Sequence, residues 1–140
     1  GITDAQVDHC WNAMIGRIPQ ARIDLVRRLK ERYRVLLLSN TNAIHVPAFE
    51  RIIAEDNGIS DFKALFDGAY YSCEMGLRKP DAEAFHHALS RHGADAARTL
   101  FIDDSIQHVI GAREAGLRAE HLDLHGEDVL AMVERLDLLP

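Results

Sequence analysis

The chain has 140 residues, 47% of them hydrophobic and 27% charged. That profile fits one folded domain with its own core and excludes a disordered or collagen-like chain. Acids outnumber Lys and Arg by 22 to 16, and the net charge of −6 argues against nucleic acid and anionic membrane as partners.

Read in chain order, helices alternate with short apolar runs. Ile2-Thr3-Asp4-Ala5-Gln6-Val7 is a helix start, with Thr3 as cap, Gln6 completing a capping box and Ile2 stapling to Val7. Val7, Cys10, Trp11, Met14 and Ile15 follow at helical spacing, and Gly16 ends the helix. A second helix opens near Pro19, with Ala21, Leu25, Val26, Leu29 and Tyr33 on one face. Val35-Leu36-Leu37-Leu38 suits a strand buried on both faces of a parallel sheet, and Ser39-Asn40-Thr41-Asn42 breaks it. The next helix turns Ile44, Ala48, Ile52 and Ile53 inward and closes at Gly58. Ala69 to Cys73 reads as a weaker strand. Pro80 suits the first turn of a helix running through Ala82, Phe85 and Leu89 to Gly93. Thr99 to Ile102 is a further buried strand, stopped by Asp103-Asp104. A helix with Ile106, Val109, Ile110 and Arg113 ends at Gly116. Arg118 to Leu122 is an edge strand, and the last helix carries Val129, Leu130, Val133 and Leu136.

No run approaches the roughly 18–20 apolar residues of a membrane span. The opening Gly1-Ile2-Thr3-Asp4 lacks the basic-then-apolar pattern of a secretory leader. Cys10 and Cys73 belong to no Cys-x-x-Cys pattern. A reduced cytoplasmic protein with two buried thiols is therefore expected, with a Cys10–Cys73 disulfide as the lesser alternative.

Alternating strands and helices imply a parallel sheet with right-handed crossovers, and such sheets bind ligands outside the carboxyl ends of their strands. Ser39 and the pair Asp103-Asp104 each directly follow a strand, and Lys79 lies in the loop Gly76-Leu77-Arg78-Lys79-Pro80 before a helix. One rim would thus gather a hydroxyl, an ammonium and two carboxylates. A hydroxyl with helix-start N–H groups can hold phosphate oxygens. A lysine neutralises charge growing in the transition state. Mg²⁺ relieves the repulsion of two adjacent carboxylates and takes its remaining ligands from water and phosphate. These are the parts of phosphoryl transfer. Each also has a plain reading: Ser39 as a helix cap, Lys79 as a surface lysine, and Asp103-Asp104 as a cap followed by a surface acid.

Leu37-Leu38-Ser39-Asn40-Thr41-Asn42 with His45, then Gly76-Leu77-Arg78-Lys79-Pro80-Asp81, then Phe101-Ile102-Asp103-Asp104-Ser105 with Gly111 and Ala115-Gly116, resemble the second, third and fourth motifs of the haloacid dehalogenase superfamily. The closest branch is the small capped phosphatases that resemble α-D-glucose-1-phosphate phosphatase. The resemblance implies an α/β fold, a Rossmann-like three-layer sandwich with a parallel sheet, and hydrolysis of small phosphorylated metabolites such as sugar phosphates. It implies that Ser39, the Asn40 backbone N–H and Lys79 bind the phosphoryl group, and that Asp103 and Asp104 support Mg²⁺. Residues 1–18 would be the remnant of a helical cap and 19–140 the core.

One departure is large. The family's first motif, Asp-x-Asp after a first strand, occurs nowhere in the 140 residues. In the family it supplies the nucleophile and the general acid/base. Leu65-Phe66-Asp67-Gly68 is the nearest decoy, and it lacks the second aspartate. The chain alone is therefore expected to be inactive, as a truncated, proteolysed or decayed form. The missing strand belongs between the strand ending at Asp103 and the one ending at Ser39. Its loss leaves a gap with unpaired edges, unless those strands pair directly or with another copy.

Rival readings are weaker. A receiver domain places its acidic pair first, and here that pair comes last. A 2-haloacid dehalogenase uses no metal, which the acidic pair contradicts. A non-catalytic binding protein on the same fold is the serious alternative. His86, His87 and His92 on one helix, and His121 and His125 near the carboxyl end, have no cysteine at zinc-ligand spacing and read as structural. His45 reads as a helix-face residue that could support Asn40.

Overall fold

A computed structural model describes residues 17–139. The helix expected from Thr3 to Gly16, and most of the expected cap remnant, lie outside these residues. The elements are α1 (Gln20–Leu29), β1 (Leu36–Ser39), α2 (His45–Asn57), β2 (Gly68–Tyr71), α3 (Ser72–Met75), α4 (Ala82–Ser90), β3 (Leu100–Asp103), α5 (Ile106–Glu114), β4 (Arg118–His121) and α6 (Val129–Arg135). Single 3₁₀ turns occupy Lys63–Leu65 and Ala96–Arg98. No described helix is long and apolar enough to cross a membrane.

All strand pairing is parallel. β1 pairs with β2, Leu36 opposite Gly68 and Ser39 opposite Tyr71. β3 pairs with β4, Leu100 opposite Arg118 and Asp103 opposite His121. These are two separate two-stranded sheets, and β1 and β3 do not pair with each other among the described residues. The two sheets part between β1 and β3, and the alternative of direct pairing between these strands does not occur among the described residues. β1 and β3 were expected to be buried on both faces; both are only half-buried along their length, since each has one edge without a strand beside it among the described residues.

Two hydrophobic clusters pack against the strands, and one of them joins the two sheets. Successive residues of a strand point to opposite faces. Leu37 packs against Ile23, Ile53, Phe62 and Leu65, from the α1 and α2 side. Leu38 and Phe101 both pack against Phe85, Leu89, Val109 and Ala112, from the α4 and α5 side. Helices on both faces of parallel strands make the expected three-layer α/β architecture.

Several elements depart from the sequence reading. α1 ends at Leu29, and Tyr33 lies beyond it, 39% exposed, with the Arg32 guanidinium over its ring. Ser72 and Cys73 belong to the one-turn α3 and not to a strand; Cys73 is exposed, with a free thiol. Pro80 precedes α4, whose N-cap residue is Asp81. On α5 only Val109 of the expected apolar face is buried, while Ile106 and Ile110 face solvent. Ile44, expected inward, is 44% exposed. Other signals hold: Gly58 and Gly116 end α2 and α5 with φ of +70° and +96°, a region glycine enters without penalty. The structure adds a cap to α6, where Asp128 Oδ1 accepts from the Ala131 N–H at 2.9 Å.

Candidate active site

The parallel register sets the carboxyl ends of paired strands level, so Ser39, Tyr71, Asp103 and His121 close the four strands. The loop from Gly76 to Pro80 folds back over this rim. Lys79 is 7% exposed, an unusual degree of burial for a lysine. Its burial is compensated by Asp103: Nζ lies 2.7 Å from Oδ2, with both side chains 9% exposed. Nζ also lies 5.5 Å from the centroid of the Phe101 ring.

Asp103 is held on all sides. Besides Lys79, its Oδ1 accepts from the Ser105 N–H at 2.8 Å and its Oδ2 from His108 Nδ1 at 3.2 Å. Burial opposes ionisation of this carboxyl. The hydrogen bond from Lys79, the Ser105 N–H, the Lys79 charge and His108 outweigh that and hold it below the ordinary carboxylate value.

Two reciprocal latches fix the rim loops. The Asn40 side chain donates through Nδ2 to the Lys79 carbonyl and accepts at Oδ1 from the Lys79 N–H, both at 2.9 Å. Ser72 Oγ accepts from the Thr41 N–H and donates to the Thr41 carbonyl, again at 2.9 Å. Asn42 Oδ1 accepts from the Ile44 and His45 N–H groups at 3.0 and 2.9 Å and so starts α2. Gly111 lets α5 approach the Lys79 loop: a Cβ there would lie 2.4 Å from the Pro80 carbonyl oxygen.

Ser39, Asn40, Lys79 and Asp103 are thus brought to one rim. Asp104 sits beside them, exposed, and its carbonyl accepts from His121 Nε2 at 3.0 Å. Among the described residues no three His, Cys, Asp or Glu side chains converge as a metal cage. Asp103 and Asp104 offer carboxylate oxygens, which suit Mg²⁺ when water and phosphate complete its shell.

Asp67 stands at the opposite end of the strands. Its carboxylate accepts from the Val35 N–H at 2.8 Å, its own N–H donates to the Val35 carbonyl at 2.9 Å, and Lys30 lies 3.8 Å away. It extends the β1–β2 pairing and is remote from the rim. The other histidines are similarly scattered. His92 Nε2 lies 2.6 Å from the Tyr70 hydroxyl, His87 packs edge-on to the same ring, and His86 Nε2 donates to the Ala115 carbonyl. His45 lies half-buried in the first turn of α2.

The sequence reading did not single out His108 or Ser72, and placed Gly111 in a motif without a role. His108 has one local signal: it follows Asp103 by five residues, early in the helix that the aspartate's strand feeds. Ser72 has none, because its partner lies 31 residues away.

Parallel strands with helices packed on them and polar side chains at their carboxyl ends define an α/β protein of the kind that binds ligands at that rim. Residues 14–116 match the haloacid dehalogenase-like hydrolase family, and the chain belongs to it. The chain resembles an enzyme of that family from Bacteroides thetaiotaomicron, crystallised as an aspartate-to-alanine variant with magnesium and inorganic phosphate: TM-score 0.80, 32% identity, over 94% of this chain and 67% of that one. It is 26% identical over 120 residues to a D-ribitol-5-phosphate phosphatase from Bacteroides thetaiotaomicron, covering 82% of this chain and 55% of the relative. It is 43% identical over 58 residues to a sesquiterpene phosphatase from Aspergillus oryzae, covering 41% of this chain and 30% of the relative. The chain therefore spans about half or less of these two phosphatases.

Proposed function

We propose that this chain carries the phosphate-binding and Mg²⁺-binding part of a phosphomonoester hydrolase acting on small phosphorylated metabolites. The Lys79–Asp103 pair carries this reading: a buried ammonium and a buried carboxylate face each other on the rim that Ser39 closes. The phosphatase relatives and the magnesium- and phosphate-bound neighbour support it. The relatives' esters run from a polyol to a hydrocarbon.

In this reading Ser39 and the Asn40 N–H hold phosphoryl oxygens, and Lys79 neutralises their charge. Asp103 and Asp104 hold Mg²⁺, which when bound supplies further neutralisation of the phosphate. His108 and Ser105 keep the Asp103 carboxylate oriented towards the rim. The aspartate nucleophile of the family is not among these 140 residues, so the chain alone is inactive.

Titration calorimetry with inorganic phosphate in Mg²⁺ tests the site. Binding is expected to weaken at least tenfold in Ser39→Ala, a substitution that leaves the core intact; unchanged affinity in both Ser39→Ala and Lys79→Ala overturns the reading. Turnover of p-nitrophenyl phosphate that disappears in Asp67→Asn overturns the inactivity.

A further inference from the structure

Asp104 combines a fixed backbone with an open carboxylate. The β3–β4 pairing runs on to the Leu122 N–H, which donates to the Asp103 carbonyl at 2.9 Å. One residue later the Asp104 carbonyl precedes α5 and takes no N–H from that helix. It accepts instead from His121 Nε2 at 3.0 Å. A carbonyl can only accept, so Nε2 carries the hydrogen. The N–H of the same peptide, that of Ser105, goes to Asp103 Oδ1 at 2.8 Å. The peptides on both sides of Asp104 are therefore held, and a β4 side chain grips the second of them.

The strand places His121 for this contact. It closes β4 opposite Asp103. Ala119, two residues earlier, is buried in the cluster that contains Val109 and Ala112 of α5. Residues two apart on a strand share a face, so His121 lies on the α5 side of β4, where the turn after Asp103 enters that helix.

The two aspartates differ in what they offer a cation. The Asp103 carboxylate already meets Lys79, His108 and the Ser105 N–H. Asp104 is exposed, and its carboxylate has no hydrogen bond or ion pair among the described residues. Where that open carboxylate stands depends on the backbone beneath it.

We infer that His121 is a positioning residue for the cation site: its Nε2–H holds the Asp104 main chain so that the open carboxylate is presented to Mg²⁺ beside Asp103. This rests on the Mg²⁺-site reading above and adds to it a residue that acts through the backbone. The His121 bond is exposed, so water replaces it when the ring is removed and little stability is lost. What is lost is placement, and groups that orient metal ligands typically cost about 10–100-fold in metal affinity when changed.

The test is titration calorimetry of the 140-residue chain with magnesium chloride. His121→Ala is expected to weaken Mg²⁺ binding about tenfold. His121→Gln carries an amide N–H at nearly the reach of Nε2 and is expected to restore the affinity, whereas His121→Asn stops short and is expected to bind like His121→Ala. Asp104→Asn is expected to bind at least as weakly as His121→Ala. Asp67→Ala, at the far end of the strands, controls for lowered stability and should keep the wild-type affinity. Wild-type affinity in His121→Ala, a loss that His121→Gln does not restore, or an equal loss in Asp67→Ala each overturns the inference and leaves the Mg²⁺ reading standing. A wild-type chain that binds no Mg²⁺, or an Asp104→Asn variant that binds it unchanged, overturns both.

Discussion

Asn40 and Lys79, 39 residues apart in the chain, grip each other through two 2.9 Å hydrogen bonds between one side-chain amide and one backbone unit. The amide reproduces a strand-like pairing at a place with no strand, and it sets where the lysine side chain begins. From there Nζ reaches Asp103. The end of β1 therefore positions the charge pair at the end of β3 without any ladder between the two strands.

Asn40→Ala removes both bonds and leaves a part-buried N–H and carbonyl without their partners. The expected loss is about 1–3 kcal/mol of stability, read as a lower urea midpoint with an unchanged slope. Asn40→Asp keeps the acceptor and loses the donor, so its midpoint should fall between those of wild type and Asn40→Ala.

Gly111→Ala pushes a methyl group to 2.4 Å from the Pro80 oxygen and 2.7 Å from its Cβ. The α5 helix or the Lys79 loop must yield. A loss of about 1–3 kcal/mol is expected, together with weaker phosphate binding in calorimetry, because the same loop carries Lys79. Gly126→Ala, whose added Cβ would lie 3.8 Å from the Asp123 carbonyl oxygen, serves as the control and should change little.

The acid limb of stability should depend on Asp103. Its carboxyl lies below the ordinary 3.8 in the folded chain. A depressed folded value contributes stability that is present above the unfolded value and is lost as pH falls through the folded one. Urea midpoints measured from pH 6 downward should therefore drop below about pH 4. The drop should be shallower in Asp103→Asn, which starts from a lower midpoint because Lys79 has lost its buried partner. An acid limb of unchanged steepness in that variant would count against the assignment.

Asp67→Ala should cost about 1 kcal/mol, because its carboxylate accepts the Val35 N–H ahead of β1. Phosphate affinity should not change, since Asp67 lies at the far end of the strands. A loss of phosphate affinity at full stability would return Asp67 to the site.

Local chemistry made much of this legible. Four-residue apolar runs marked β1 and β3 because a strand between two helical layers needs no polar face. Ser39 and Asp103 were placed at the rim because each ends such a run. Helical spacing marks Ile44, Ile106 and Ile110 as inward-facing, yet all three are exposed, because spacing cannot say which helix faces meet a neighbour.

The sequence by itself determined the order of the chemical groups, the alternation of strands and helices, and the glycine-ended helices, since all of these follow from residue type and spacing within one element. Only the tertiary structure decided that Asn40 spends its side chain on Lys79, that His108 shares the Asp103 carboxylate with that lysine, and that β1 and β3 remain apart. Those depend on which groups meet across 24 or 39 residues of chain. A hydrogen bond or a missing neighbour at that separation leaves no periodic trace along the sequence.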